Sequence, residues 1–239
     1  MFKGKSALIT GGSRGIGLAI ASRLAQEGAN VTLVARNHAS LEAATRSLPR
    51  DDRHNQHHHF QALNLLNLVN SNHPDALIAQ KSLSSNTILV NCAGMTTHSL
   101  LHSTSQQQIL DTLNLNLTIP ILLSQWAIKN MIRNRKLHPA ILNISSVLSL
   151  TDHVIPGTSV YAASKAGLLG FTTSLANEMK GRIRVNALMP GLVRETDMGS
   201  IVDEEKNVAP VVSLSFVADK AVEMLGDLSL NGECKMIEQ

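Results

Sequence analysis

The chain alternates between short apolar runs and longer segments with helical periodicity, from residue 5 almost to its end. The apolar runs have the length of buried strands, and the segments between them repeat apolar residues at helical spacing. We predict strands at 5–10, 30–35, 57–65, 87–91, 141–146 and 183–188, an edge strand at 233–237, and helices at 18–28, 41–48, 76–84, 106–131, 159–179 and 211–225. Alternating strands and helices predict an α/β fold with a doubly wound parallel sheet in three layers, α/β/α.

The chain has the length of one domain, which we expect to span residues 1–239. Pro120 predicts an interruption or bend in the long helical segment, because proline lacks the amide hydrogen that an α-helix needs. The same segment carries Asn114 and Asn116 among apolar residues. Such an asparagine is usually a satisfied structural group; the alternative is that it holds a water or a backbone carbonyl near a site.

A glycine-rich turn, Gly11-Gly12-Ser13-Arg14-Gly15-Ile16-Gly17, lies between the first predicted strand and the first predicted helix. Glycines permit a tight turn and let the backbone approach a pyrophosphate closely. The helix that follows presents free N–H groups and the positive end of its dipole. We therefore predict a dinucleotide-binding turn.

The residue after the second predicted strand indicates which dinucleotide binds. An NAD-binding chain usually places Asp or Glu there, against the ribose hydroxyls, whereas this chain has Arg36. An arginine favours the 2′-phosphate of NADP(H), and Arg14 in the glycine-rich turn offers a second cation. The alternative is that Arg36 is an ordinary exposed charge at a strand end.

Composition and charge exclude several classes of protein. Charged residues make up 16% of the chain and the net charge is +3, without a basic run interleaved with aromatic residues. The sparse charge suggests a surface partly covered in a homo-oligomer, and the weak basicity argues against dedicated nucleic-acid binding. No apolar run approaches the 18 or so residues of a transmembrane helix, so no membrane span is expected.

The cysteines and histidines do not predict a metal site or a disulfide framework. Cys92 and Cys234 are few and far apart, which is typical of reduced thiols in an intracellular compartment. His54 and the run His57, His58 and His59 invite a metal interpretation. A polar loop entering a strand explains them more simply, because adjacent strand residues alternate sides.

Polar and small residues follow several predicted strands, at the edge where doubly wound sheets bind their ligands. Asn64 and Leu65 end the third strand, where they can border an adenine. Gly94 follows the fourth strand and lets a cofactor approach the backbone. Ser146 ends the fifth and can hydrogen-bond a reacting oxygen, while the turn at 189–198 can close over the cofactor.

Tyr161, the only tyrosine of the chain, precedes Lys165 by four residues in a segment of helical character. Residues at this spacing share a helix face, so the ammonium can lie beside the phenol and favour its ionised form. Tyr161 is therefore a candidate general acid or base. The alternative for such a pair is a solvated helix face.

A cluster of cations, Lys129, Arg133, Arg135 and Lys136, lies at the end of the segment 106–131 and beyond it. These residues complement the negative end of a helix dipole, which is the simpler interpretation. The alternative is that they dock an acidic carrier protein.

The order of these motifs resembles that of the short-chain dehydrogenase/reductase family over nearly the whole chain. The motifs are the glycine-rich turn with Thr10, Asn91-Cys92-Ala93-Gly94, Asn116, Ser146, Tyr161 with Lys165, and Pro190-Gly191. The stretches 143–146, 154–161 and 190–198 are similar to fungal mitochondrial 3-oxoacyl-[acyl-carrier-protein] reductases. At position 92 the family's motif more commonly has asparagine. The cysteine should be tolerated, because the glycine and the main chain of the motif carry its contact.

The resemblance implies a Rossmann sheet, a homotetramer and hydride transfer from NADPH. By family role, Tyr161 protonates the carbonyl oxygen, Ser146 orients it, Asn116 holds the water of a proton relay, and Lys165 lowers the pKa of Tyr161 and binds the nicotinamide ribose. The cofactor-contacting positions would be Gly11, Ser13, Arg14, Ile16, Arg36, Asn64, Leu65, Asn91, Ala93, Gly94, Tyr161, Lys165, Pro190 and Thr196.

The leading hypothesis from the sequence is therefore NADPH-dependent reduction of 3-oxoacyl groups on acyl carrier protein, in fatty-acid biosynthesis. The resemblance implies a mitochondrial location; a cytoplasmic one is the alternative. Two other functions remain open: an oxidoreductase of the same family that acts on a sterol or another small alcohol or ketone, and a non-catalytic nucleotide-binding subunit.

Overall fold

The computed structural model describes residues 1–51, 55–150, 152, 154–200 and 210–238. Its strands are β1 (Ser6–Thr10), β2 (Asn30–Ala35), β3 (His58–Ala62), β4 (Ile88–Asn91), β5 (Ala140–Ile144), β6 (Arg184–Pro190) and β7 (Cys234–Ile237). Its α-helices are α1 (Gly15–Gln26), α2 (His38–Ser47), α3 (Pro74–Leu83), α4 (Gln106–Leu113), α5 (Ile119–Arg133), α6 (Ser159–Glu178) and α7 (Leu214–Gly226). Both sets follow the order predicted from the sequence.

Within the described residues, the strands form one seven-stranded parallel sheet in the order β3-β2-β1-β4-β5-β6-β7. Successive side chains of a strand point to opposite faces. Ala7 and Ile9 accordingly lie in the apolar core shared with α1 and α7, whereas Leu8 lies in the core shared with α3, α5 and α6. The three-layer, Rossmann-type α/β/α architecture is confirmed.

The strand order reverses between β1 and β4, which are neighbours in the sheet. In an open α/β sheet, the chain departs to opposite sides from such neighbours and leaves a crevice beyond their carboxyl ends. The glycine-rich turn follows β1, and Cys92, Ala93 and Gly94 follow β4. The fold therefore brings two of the predicted cofactor motifs to one crevice.

The long helical segment differs in detail from its prediction. A five-residue π-helical turn, Asn114–Thr118, separates α4 from α5, so the interruption precedes Pro120. Pro120 lies in the first turn of α5, where the missing amide hydrogen is best tolerated. Asn116 thus lies in a π-turn rather than in a regular helix, and such turns often mark functional sites.

The last predicted helix begins three residues later than expected. Val211 forms an isolated bridge with Leu192, and α7 begins only at Leu214, with Ser213 as its N-cap. The bridge fastens the chain after residue 210 to the segment that follows β6.

Candidate active site

The glycine-rich turn packs closely against the end of β4. Gly11 has a φ of +69°, and a Cβ there would lie 3.0 Å from the Cα of Ala93. A Cβ on Gly17 would overlap the carbonyl oxygen of Gly11. Both positions therefore require glycine if the turn is to keep this shape.

Thr10, to which the sequence interpretation gave a place in the motif but no role, joins the two strand ends. Its hydroxyl accepts hydrogen bonds from the backbone N–H groups of Cys92 (3.0 Å) and Ala93 (3.1 Å). At position 92 it is therefore the main chain, and not the cysteine side chain, that bonds Thr10. The signal was its place as the last residue of β1, directly before the glycines.

The start of α1 has the features of a phosphate-binding helix end. Arg14 is the N-cap residue and makes no side-chain cap hydrogen bond, and Gly15 and Ile16 begin the first turn. The guanidinium of Arg14 forms an exposed ion pair with Asp197 at 2.8 Å. Thr196, beside Asp197, contacts the Gly15 position, so the segment after β6 lies across the glycine-rich turn.

The predicted adenine-side residues lie at the ends of β2 and β3. Arg36 directly follows β2 and is exposed. Asn64 caps the short helix Leu65–Val69 by accepting a hydrogen bond from Leu66 N–H, while the Leu65 side chain is buried. Arg36 is thus well placed to meet a charged ligand group, and Leu65 contributes mainly to the core.

Asn91 is directed into a buried polar network rather than into the open crevice. Its side-chain Nδ2 donates to Asn143 Oδ1 at 2.8 Å, and Asn143 Nδ2 donates to the hydroxyl of Thr172 at 2.9 Å. This network joins β4, β5 and α6. The predicted contact of Asn91 with the cofactor would therefore fall to its backbone.

Ser146, Tyr161 and Lys165 lie together where β5 and α6 meet. The hydroxyl of Ser146, two residues beyond β5, lies close enough to the Tyr161 phenol to lower its pKa. The ammonium of Lys165 lies 5.7 Å from the centre of the Tyr161 ring and donates to the carbonyl oxygen of Ile144 at 2.8 Å. Ser145 fixes the same helix by donating to the carbonyl of Lys165 at 2.9 Å.

Burial changes the pKa values of both Tyr161 and Lys165. Burial raises the pKa of Tyr161 to about 12, although Ser146 opposes this increase. Burial also lowers the pKa of Lys165 to about 8. In both groups desolvation favours the neutral form, and the lowering of the Tyr161 pKa by Lys165 stays a prediction.

Asn116 uses its whole side chain to hold the backbone beside the site. Its Oδ1 accepts from Met95 N–H, and its Nδ2 donates to Met95 O, both at 2.9 Å. The same Nδ2 lies 3.0 Å from the hydroxyl of Ser164, which donates to Tyr161 O. The sequence interpretation that Asn116 holds a backbone carbonyl therefore agrees with its contacts. Its role toward a water stays a prediction.

A cavity of about 110 Å³ opens beside Tyr161 and Ser146. Most of the cavity wall is apolar, with a few hydroxyl groups. The wall includes residues of the loop that follows β4 and of the segment between β5 and α6. Pro190, at the end of β6, and Thr196 line it, as does Ile16 from α1. The wall residues are Ile16, Thr96, His98, Ser145, Ser146, Val147, Leu148, Ile155, Thr158, Tyr161, Pro190, Gly191, Leu192, Val193, Thr196, Met198 and Gly199.

The histidine run lies away from this cavity. The His58 ring is buried and accepts a hydrogen bond from Val31 N–H, whereas His57 and His59 are exposed. His54 lies outside the described residues. Within the part of the chain that the structure describes, no cluster of three or more potential metal ligands occurs. None of the helices described is long and apolar enough to cross a bilayer.

Comparison with known proteins identifies the family. The family model for short chain dehydrogenases matches residues 5–207. A 3-oxoacyl-[acyl-carrier-protein] reductase of Bos taurus is 35% identical over 211 residues, covering 84% of this chain and 80% of that protein. A reductase of the same name from Rickettsia bellii is 36% identical over 204 residues, covering 85% and 78%. The chain belongs to the short-chain dehydrogenase/reductase family.

The solved structures agree with this assignment. A short chain dehydrogenase/reductase family protein matches with a TM-score of 0.83 at 27% sequence identity, covering 99% of this chain and 97% of that one. As a member of the family, the chain is an oxidoreductase that uses a nicotinamide dinucleotide. The close approach at Gly11 and Gly17 and the absence of a side-chain cap on α1 among the described residues suit the pyrophosphate of such a cofactor.

Proposed function

We propose that this oxidoreductase reduces 3-oxoacyl groups on acyl carrier protein to 3-hydroxyacyl groups, with NADPH as the cofactor. The observation that carries the proposal is the site itself: Ser146 beside a half-buried Tyr161, with Lys165 alongside, on the wall of a mostly apolar cavity. Relatives named 3-oxoacyl-[acyl-carrier-protein] reductase, at about 35% identity, support this choice of substrate.

Each side chain of the site has a role in this reaction. The cofactor, when bound, supplies a hydride to the ketone carbon. Tyr161 donates its phenolic proton to the ketone oxygen, and Ser146 holds that oxygen by a hydrogen bond. The high pKa of Tyr161 suits a donor, because its proton stays in place until an alkoxide, a much stronger base, develops beside it.

The direct test is oxidation of NADPH, followed by absorbance, with acetoacetyl thioester on acyl carrier protein, compared with free ketones and a steroid ketone. Turnover that is fastest with the carrier-bound thioester would support the proposal. Faster turnover of a steroid or simple ketone would instead favour an oxidoreductase of the same family that acts on a sterol or another small alcohol or ketone. No turnover with any carbonyl compound would favour a non-catalytic nucleotide-binding subunit.

Replacement of Arg36 by Asp is expected to weaken the binding of NADPH by at least tenfold and to strengthen the binding of NADH. Loss of the cation facing the 2′-phosphate removes one charge-assisted contact, and the carboxylate instead suits free ribose hydroxyls. Dissociation constants for both cofactors can be measured by titration calorimetry. An unchanged preference in Arg36→Asp would show that Arg36 does not select the phosphate, and Arg46→Asp, on the exposed side of α2, is the matched control.

The proposed carrier-docking cations have a defined place in the fold. Asn130 donates to Asn86 O, just before β4, so the end of α5 lies at the amino edge of the sheet, opposite the site. Arg184 N–H donates to Pro139 O, which brings the turn after α6, with Lys180 and Arg182, to the same edge. A carrier docked on Arg133 and Arg135 would therefore have to deliver its thioester past the sheet or to another chain.

If the carrier docks there and delivers its thioester to another chain, reversal of both charges, Arg133→Glu with Arg135→Glu, lowers kcat/KM about tenfold for carrier-bound substrate and leaves a free pantetheine thioester unaffected. The reason is that an acidic carrier is attracted by the cations and repelled by the acids, with a strong dependence on salt. Equal effects on both substrates would contradict docking at this edge. Lys81→Glu, an exposed cation on α3, is the matched control.

A homotetramer and a mitochondrial location complete the proposal. The low fraction of charged residues, 16%, supports an assembled surface. Mass measurement in solution and localisation of the tagged chain test these two points separately from the catalytic one.

A further inference from the structure

The hydroxyl of Thr96 is unusual among the polar groups of the cavity wall. It is buried and has no hydrogen-bond partner among the residues described. Thr96 nevertheless contributes other atoms to the wall of the cavity, on the loop that follows β4. A buried hydroxyl without a partner is unfavourable, so a group that can pair with it is expected at some stage of function.

The other wall hydroxyls are already committed to partners within the chain. Ser145 donates to Lys165 O, Thr158 donates to Ile155 O, and Thr196 donates to Val193 O. Ser146 accepts from Leu148 N–H and lies beside Tyr161. Among the described hydroxyls of the wall, only that of Thr96 is left to donate to a second polar atom of a substrate.

The segment that carries Thr96 is held firmly at both ends. Asn116 clamps the backbone of Met95 on one side. On the other side, Ser99 N–H donates to Gly157 O at 3.1 Å, and a Cβ on Gly157 would press on Ser99. Between them, His98 adopts a left-handed backbone with a φ of +46°, which is uncommon outside glycine and often marks a functional site.

Only one bond needs to turn for Thr96 to reach a ligand. Threonine carries a hydroxyl, a methyl and a hydrogen on Cβ, so rotation about Cα–Cβ by one staggered step moves the hydroxyl into the position of the methyl or of the hydrogen. Because Thr96 lines the cavity, such a step can turn the hydroxyl from its buried position toward a bound ligand. Since no partner in the described chain holds the hydroxyl where it is, this rotation breaks no hydrogen bond.

We propose that Thr96 is a specificity-determining residue that donates a hydrogen bond to the second carbonyl oxygen of a 1,3-dicarbonyl substrate. The first carbonyl, the ketone that is reduced, meets Tyr161 and Ser146 on the same cavity wall. The inference rests on the proposed function and deepens it. The thioester carbonyl of a 3-oxoacyl group is such a second acceptor, whereas a simple ketone or a steroid ketone has none at that position.

The test compares three substrates with wild type and three variants. Acetoacetyl pantetheine carries the thioester; ethyl acetoacetate carries an ester carbonyl; and the ether analogue of ethyl acetoacetate has a methylene in place of that carbonyl. Thr96→Val keeps the shape and removes the hydroxyl, Thr96→Ser keeps the hydroxyl, and Thr97→Val makes the same change at the neighbouring residue, which does not line the cavity. Both NADPH and NADH are supplied.

The expected result is a loss of about tenfold in kcat/KM for Thr96→Val with the two dicarbonyl substrates and no loss with the ether. Thr96→Ser and Thr97→Val should resemble wild type. Thr96→Val should also unfold in urea at the same or a higher midpoint, because the hydroxyl that it lacks has no partner in the fold. A lower midpoint for Thr96→Val, an equal loss with all three substrates, or no loss with any would overturn the inference.

The outcomes also separate this inference from the proposed function. If wild type ignores the thioester but prefers ethyl acetoacetate to the ether in a Thr96-dependent way, the proposed function fails and the inference stands. If wild type reduces the thioester and Thr96→Val does so equally well, the proposed function stands and the inference fails. No turnover with any of the three substrates would overturn both.

Discussion

Replacement of Tyr161 by Phe is expected to lower kcat by about 10³-fold, because general acid catalysis contributes roughly 10² to 10⁴ to such rates. The substitution removes only the hydroxyl, whose neighbour within the site is Ser146. The ring, and with it the position of Lys165, should remain in place. The unfolding midpoint should therefore change little, and any change in the dissociation constant of the cofactor measures the contact predicted for Tyr161.

The single tyrosine also gives a direct check on the protonation state. Because Tyr161 is the only tyrosine of the chain, the ultraviolet absorbance of tyrosinate reports on this residue alone. A pKa of about 12 predicts no tyrosinate signal at neutral or mildly alkaline pH. A signal near pH 7 would instead show the ionised phenol that the spacing to Lys165 suggested. Near-normal turnover by Tyr161→Phe would contradict its role as proton donor, whatever the titration shows.

The sequence predicted the placement of the site well, because parallel sheets place their chemistry at strand ends. Once alternating strands and helices were recognised, Gly94 after β4 and Ser146 after β5 had to lie at the same edge. The spacing of Tyr161 and Lys165 likewise brings both onto one side of α6. These inferences require only that strands and helices keep their regular geometry, as they do in this chain.

The spacing of Tyr161 and Lys165 could not show how burial changes their pKa values. A four-residue separation indicates that an ammonium can lie near a phenol, but it does not show that both groups are buried. Desolvation depends on the whole fold around Tyr161, and it raises the pKa of the phenol whatever Lys165 contributes. The direction of Asn91 into the network with Asn143 and Thr172 depends in the same way on three separate elements.

The unpaired hydroxyl of Thr96 was equally invisible in the sequence. Thr96 and Thr97 are adjacent residues of one type, and nothing in the sequence distinguishes them. Only the cavity wall, together with the partners of the other hydroxyls, marks Thr96 as different. Absence of a partner is a property of the folded surroundings, and no local pattern encodes it.

Substitution of Arg184 by Met is expected to reduce the free energy of unfolding by about 3 kcal/mol. Arg184, the first residue of β6, donates to four carbonyl oxygens around the end of α7: Leu225 (2.6 Å), Asp227 (2.8 Å), Met224 (3.2 Å) and Leu230 (3.4 Å). The guanidinium thereby satisfies acceptors that the helix end leaves unpaired, and its charge complements the helix dipole. Methionine fills similar space but donates nothing.

Urea denaturation of three variants separates the hydrogen bonds from the charge. Arg184→Lys keeps a cation but lacks the planar fork, so it should recover only part of the loss. Arg182→Met removes an exposed arginine two residues away and should change the free energy of unfolding by less than about 0.5 kcal/mol. If Arg184→Met were no less stable than Arg182→Met at an unchanged m-value, the contacts of Arg184 with α7 would contribute nothing to folding, and the closure of β6 onto the carboxyl-terminal helix would have to rest on apolar packing alone.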